Sequence, residues 1–254
     1  MHELVVQCRF SEGDVTSADK SLVVVSAHAA DFIWRAGGAI AVHTLQHGYR
    51  AVVVCLSAGE RGESNEVWAA EPNLTLEEVR ARRRLEAEQA AEVLGAEIHF
   101  FDQQDYLLSS SPGIVERLVD IYRDAQPRFI LTHPQVDPSN WDHVTACRLA
   151  LEARMVAQAP GRKGGKIIAA PQVYCFEPHQ SELCEYRPDT LLDISEVWEL
   201  KWRAMLCIKS QTRMWPYYKN VAEQRGNTAR RRTERKITHA EAYHRIFPRT
   251  VEEL

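Results

Sequence analysis

From Ser21 onward the chain alternates short apolar runs with longer stretches of mixed polarity. Leu22-Val23-Val24-Val25 is β-branched and bounded by polar residues, which predicts a strand over 21–26 buried on both faces. A helix follows from about Phe32 to His47, closed by Gly48, and a second strand covers Ala51 to Leu56. Thr75 caps a long helix to about Leu94, with Glu77 placed for a capping box and Gly95 as its stop. Ile98–Phe101 is a third strand, Ile114–Arg123 a helix, 128–132 a fourth strand, and a further helix runs from about His143 toward Ala157. Val173–Phe176 and Leu191–Ile194 read as strands, Ser195 caps a helix toward Gln211, and Ala240-Glu241-Ala242-Tyr243 is read as helical. This order predicts an α/β fold: a Rossmann-like, mostly parallel sheet with helices on both faces and a C-terminal helical elaboration. Residues 21–254 form a single domain, and residues 1–20 are an N-terminal extension in which Leu4-Val5-Val6 is a candidate edge strand.

Composition narrows the partners more than the fold. At 254 residues, 45% hydrophobic and 26% charged, the chain is long enough for a sizeable core. A net charge of −4 gives no general attraction to nucleic acid or to an anionic membrane, so an anionic ligand needs a local basic site. No run approaches the roughly 20 apolar residues of a membrane span, and the opening residues lack the pattern of a secretory signal. The six cysteines, without a Cys-x-x-Cys pair, fit reduced thiols and a cytoplasmic protein. Arg230-Arg231-Arg232 with Arg235-Lys236 is the one dense basic run and reads as a solvated face.

Chemistry gathers after two of the strands. Ala27-His28-Ala29-Ala30-Asp31 follows the first, and His133-Pro134 through Asp137, Asn140, Asp142 and His143 follows the fourth. Ligands of open α/β sheets collect at the carboxyl ends of strands, so these loops are expected to converge. His28, Asp31 and His143 make a two-histidine, one-carboxylate set for one divalent ion, zinc foremost and ferrous iron as the alternative. The loop Ser57-Ala58-Gly59-Glu60-Arg61-Gly62-Glu63-Ser64 ends the second strand with glycines suited to the border of a site. Gly37-Gly38 is no dinucleotide fingerprint, which leaves a non-catalytic nucleotide-binding module weakly supported.

These motifs resemble the PIG-L/LmbE-like family of metal-dependent N-deacetylases. The likeness runs from Ser21 to Pro248 and takes in Arg83-x-x-Glu86, Asp193-Ile194, Lys201, Ser210-Gln211 and Ala240-Glu241-Ala242-Tyr243. The resemblance implies the same three metal ligands, His28, Asp31 and His143. It also exposes two departures. Where the deacetylases hold the aspartate that acts as general base this chain has Ala30, and where they hold a histidine that steadies the oxyanion it has Asn140. Neither a methyl nor an amide titrates, so amide hydrolysis lacks its usual base and donor.

One branch, the 4-oxalomesaconate hydratases of aromatic-acid catabolism, is similar in detail. The string from Ala27 through Ala41, the Cys55–Ser64 loop, Phe176-Glu177-Pro178-His179-Gln180 and Tyr217-Tyr218 through Arg225-Gly226 carry that similarity. It implies addition of water to a small tricarboxylate, 4-oxalomesaconate or its enol form, to give 4-carboxy-4-hydroxy-2-oxoadipate. Three carboxylates call for cations, and Arg35, Arg61 and Arg225 are the candidates, with Asn140 as a further polar contact. Glu63 and Glu60 are candidate bases, and His133 and His179 candidate acids or substrate donors. Asp142, beside a ligand, is expected to orient that ligand or its water. Trp34, Trp141 and Trp215 are candidates for the pocket wall, and His239 or His244 for reaching a neighbouring subunit in a homo-oligomer. The rival function is a zinc-dependent deacetylase of an amino sugar.

Overall fold

The computed structural model describes residues 20–251 and 253, so the expected N-terminal strand at Leu4–Val6 lies outside the described residues. Among the described residues, seven strands form one sheet in the order β3-β2-β1-β4-β5-β7-β6. The strands are β1 (Ser21–Ser26), β2 (Arg50–Cys55), β3 (Ala96–Phe100), β4 (Phe129–Thr132), β5 (Gln172–Phe176), β6 (Thr190–Asp193) and β7 (Ala240–Arg245). The first five run parallel, and β7 enters antiparallel between β5 and β6.

Alternate residues of the central strands face two separate cores. Leu22, Val24, Val53 and Leu131 pack against α1 (Asp31–Ala41), α3 (Leu76–Leu94), α6 (Trp198–Leu206) and α7 (Met214–Arg230). Val23, Val25, Val54 and Ile130 pack against α4 (Pro112–Ala125) and α5 (Trp141–Ala157) on the other side. That double burial is why β1 reads as an unbroken apolar run instead of an alternating one. The chain passes outward from β1 to β2 and β3, then crosses back to β4 on β1's other flank, so the sheet's switch point lies between β1 and β4. A crevice is expected there, outside the carboxyl ends of those two strands.

Three local expectations need correction. The capping box of α3 is closed by Glu78, whose carboxylate accepts from the Thr75 N–H at 2.7 Å, because the reciprocal partner stands three residues past the cap and Glu77 only two. The first helix ends with a π-helical turn, Val42–Gln46, after α1. Ala240-Glu241-Ala242-Tyr243 is a strand, not a helix. Its four residues are buried on both faces, and Glu241 takes N–H bonds from Gly38 and Ala39 and an ion pair from Lys201 at 2.6 Å. A glutamate so fully engaged inside a sheet breaks the polarity pattern that identifies a strand in sequence.

Gly226 marks where α7 lies on the segment leading into β7, for a methyl at that position would run into the Thr238 carbonyl. Gly226→Ala is therefore expected to destabilise the protein by about 1–3 kcal/mol, as overpacking does, and a denaturant titration would read it as a lowered midpoint.

Candidate metal centre and its cleft

The loop after β1 and the start of α1 are organised by one carboxylate. Asp31, the first residue of α1, accepts the His28 N–H at 2.9 Å and sits at a helix N-terminus, where negative charge is favoured. His28 and Asp31 are both buried, and Asp31 Oδ2 lies 3.3 Å from His28 Nδ1. Burial opposes ionisation of Asp31, but His133, Arg35 and His143 outweigh it and hold the carboxyl well below its usual range.

The loop after β4 supplies the opposite wall. Asn140 caps α5 by accepting the Asp142 N–H at 3.1 Å, which sets His143 on the helix's first turn. His143 Nδ1 lies 2.7 Å from Asp137 Oδ2 and is the donor of that pair, which leaves Nε2 as a bare lone pair, buried and without a hydrogen-bond partner. Burial first, then His133 and Arg35, push His143 down to about 3, so the ring is neutral, the form that ligates metals. Asp31 Oδ1 lies 3.8 Å from this Nε2.

His28 repeats the arrangement. Its Nε2 lies 3.2 Å from Asp142 Oδ2 and 3.1 Å from Asp105 Oδ1, while Nδ1 is buried without a hydrogen-bond partner. Burial opposes a proton on this ring, but Asp105, Asp142 and Asp31 outweigh it and raise its pKa. A metal ion is the usual replacement for a proton in such a carboxylate cage. Two buried imidazole nitrogens without a hydrogen-bond partner, His28 Nδ1 and His143 Nε2, on rings each fixed from behind by a carboxylate, fit a divalent ion shared with Asp31 and replacing the His28 proton.

His28 Nδ1, His143 Nε2 and a Glu63 oxygen lie within 4.8 Å of one another, and so do donor atoms of Asp31, His133 and His143. The second set is weakened by His133, whose Nε2 already accepts the Ala27 N–H at 3.0 Å. His133 is fully buried, stacks on His143 with ring centroids 4.1 Å apart, and is pushed down to about 4, chiefly by burial. It ties the two strand-end loops together as a neutral brace and does not line the cleft.

A cleft of about 290 Å³ opens over these groups. Of the sequence candidates, Asp31, His143, Arg35, Glu63, Asn140, His179 and Trp34 line it. Glu63 stands opposite the ligands, Oε1 3.9 Å from His28 Nδ1, and its Oε2 accepts from Gln211 Nε2 at 2.8 Å. Gln211 is held in turn by the buried Arg83, which reaches its Oε1 at 3.1 Å and Ser210 Oγ at 2.7 Å.

Six further sequence candidates stand elsewhere. Glu60 is fully buried against α3, paired with Arg80 at 2.9 Å. Arg61 is exposed and contributes only its backbone N–H, to Asp105 at 2.7 Å. Arg225 is clamped by the Glu177 carboxylate and faces a separate cleft of about 830 Å³ between α7 and β6, which holds none of the chemistry described above. Asp142 lies beneath the cleft, orienting His28 and accepting the N–H groups of Tyr106 and Leu108. Trp141 is 74% exposed, and neither it nor Trp215 lines the cleft.

Asp105, Tyr106, Gln211 and Arg213 carry roles that sequence reasoning missed. Asp105 is fully buried and joins the Glu-Arg-Gly-Glu loop to His28. Tyr106 has a backbone φ of 66°, unusual for an aromatic residue, fixed by its 2.6 Å bond to Asp142. Its ring lies on Gly62, where an added Cβ would meet the far edge of the ring. Asp137 stood in the quoted motif without a role, and its bond to His143 supplies one.

Comparison with known proteins places this geometry. The model of the PIG-L family, described as GlcNAc-PI de-N-acetylase, matches residues 23–154. A 4-oxalmesaconate hydratase of Pseudomonas putida is 50% identical over 252 residues, 97% of this chain and 96% of that protein. A diacetylchitobiose deacetylase of Thermococcus kodakarensis is 26% identical over 221 residues, 80% of this chain and 76% of that protein. Among solved structures, GalB, the 4-carboxy-2-hydroxymuconate hydratase from Pseudomonas putida, superposes with a TM-score of 0.89 at 51% identity, covering 92% of this chain and 99% of that one. With its family model matched across both ligand-bearing loops and a relative half identical along its length, this chain belongs to the PIG-L family.

Proposed function

We propose that this protein is a metal-dependent hydro-lyase that adds water to 4-oxalomesaconate, or to its enol form 4-carboxy-2-hydroxymuconate, giving 4-carboxy-4-hydroxy-2-oxoadipate in aromatic-acid catabolism. The two names borne by the hydratases that resemble it describe the keto and enol tautomers of one tricarboxylate. The observation that carries the reading within the site is the position of Glu63: a carboxylate facing His28 from the β2 loop, where the chain has only the buried methyl of Ala30 on the α1 side.

His28, Asp31 and His143 would hold the ion, and two imidazoles with one carboxylate suit zinc. Bound there, it would supply Lewis acidity. Glu63 takes a proton from water; its other oxygen is committed to Gln211, so the carboxylate is fixed in one orientation. Water's oxygen bonds to the carbon that bears the 4-carboxylate, the double-bond pair shifts away, and a neighbouring carbon receives a proton. His179, on the rim against Tyr217 with ring centroids 4.2 Å apart, is positioned to deliver it. Asp142, Asp105 and Asp137 keep both ligand rings in the tautomer that presents a lone pair to the ion. None of the helices among the described residues is long and apolar enough to cross a membrane, and the cysteines described are free, which supports a cytoplasmic location.

The direct test is loss of the conjugated dienol absorbance at neutral pH with the metal-loaded enzyme; no turnover removes the substrate assignment. Hydrolysis is tested separately by acetate release from N-acetylglucosaminides. The wild type is expected to remain at background, and so is Ala30→Asp, because Asn140 uses its side-chain oxygen to cap α5 and offers no cation to an oxyanion. Release at ordinary enzymatic rates, roughly 1–10³ s⁻¹, would overturn the hydratase reading in favour of the deacetylase.

A further inference from the structure

We propose that Arg35 and Arg213 make the cleft a carboxylate receptor, and that it takes a carboxylate of the substrate remote from the reacting double bond. The inference rests on the tricarboxylate reading and adds to it the residues that select the substrate.

Arg35 is a buried cation whose donors are poorly used. Its side chain is 5% exposed, its Nε has no hydrogen-bond partner, the Asp31 carboxylate is 3.6 Å away, and the approach of NH1 to His133 Nδ1 is 3.5 Å. A guanidinium carries five N–H donors, and although Asp31, Glu63 and Asp137 lie near enough to favour its charge, Arg35 keeps Nε without a partner and available to an anion. Arg35 lines the cleft, so an anion bound there would meet it.

Arg213 lines the same cleft from the opposite side of the chain's fold, at the start of α7. The nearby acid, Glu66, places one oxygen on the Thr212 N–H at 2.7 Å and the other on the Arg213 N–H at 3.0 Å. It thus pins the backbone beneath Arg213 and leaves the guanidinium, which makes no ion pair among the described residues, open to the cleft. α7 has 17 residues, no acid in its first turn and no side-chain cap, and Met214 of that turn also lines the cleft. The Glu66 carboxylate answers the positive end of this helix, so the charge offered to the cleft here is the Arg213 guanidinium itself.

His179 sits in the field of both cations: burial first, then Arg35 and more weakly Arg213, hold it below the usual imidazole range, against the pull of Glu63. The cleft thus carries two cations, Arg35 and Arg213, beside the carboxylates of Asp31, Glu63 and Asp137. A ligand that brings a carboxylate answers those cations, whereas a neutral amino sugar does not.

The test uses Arg213→Met, since Arg213 is exposed and its loss leaves the buried network intact. KM for the tricarboxylate is expected to rise about ten- to a hundredfold, the scale of a charge-assisted bidentate contact, with kcat changed by less than about threefold. Calorimetric affinity for the inert tricarballylate should fall by the same factor, and Arg213→Lys should recover part of both. Unchanged KM and unchanged tricarballylate affinity in Arg213→Met would overturn the receptor while leaving the hydratase reading intact. If the wild type turns over no tricarboxylate yet binds tricarballylate in an Arg213-dependent way, the receptor stands and the hydratase reading falls.

Discussion

Glu63→Gln is expected to lower kcat by about 10²–10⁴-fold, the contribution of a positioned general base, with metal content and KM close to those of the wild type. The size of the effect follows from how Glu63 is held. Gln211 donates to Oε2, so an amide at position 63 must offer its carbonyl to Gln211 and turn its NH2 toward His28. A hydrogen-bond donor then stands where an acceptor is needed, in an otherwise unchanged site. Following the dienol absorbance beside metal analysis separates this from loss of the ion. Unimpaired turnover would take the base role from Glu63, and of the groups first considered with it, Glu60 is sealed against Arg80 and His133 is braced on Ala27, leaving His179 on the cleft.

His28→Ala and His143→Ala should each abolish metal retention and, with it, turnover. Each removes a buried imidazole nitrogen that has no hydrogen-bond partner among the described residues, Nδ1 of His28 or Nε2 of His143. The carboxylates behind the rings should show a graded version. Asp137→Asn is expected to weaken metal affinity by about 10–100-fold without eliminating it, because it loosens the orientation of His143 but keeps the ligand. Metal content after dialysis, with a circular dichroism spectrum to show that the fold persists, checks all three variants. Full retention of metal by both alanine variants would remove the ligand assignment.

Much of this was readable from the chain, and what was not has physical causes. β1, β2 and β4 announce themselves because burial on both faces demands continuous apolar runs, and His28, Asp31 and His143 stand out as candidates because they lie in the segments that follow β1 and β4. Asp105 gave no sign. It lies in an aperiodic stretch after β3 flanked by Asp102 and Tyr106 at positive φ, and its charge is answered by backbone N–H groups some forty residues earlier. The Glu63–Gln211 bond spans 148 positions, a separation at which sequence shows two polar residues and no relation between them. Arginine was the least legible residue type. A guanidinium promises an anion without saying which, so Arg225, already answered by Glu177, looked as promising as Arg35, and Arg213 did not stand out at all.

The proposed ligands all fall inside residues 23–154, whereas His179, Gln211 and Arg213 come after them. The proposed ion's binding and part of the substrate's recognition would thus be written in different stretches of one chain. Substitutions in the last hundred or so residues would then retune which molecule enters and how the proposed base is aimed without disturbing a metal centre assembled upstream. The choice between amide hydrolysis and addition to a carbon–carbon double bond, by contrast, falls with Ala30, Glu63 and Asn140 inside the shared stretch.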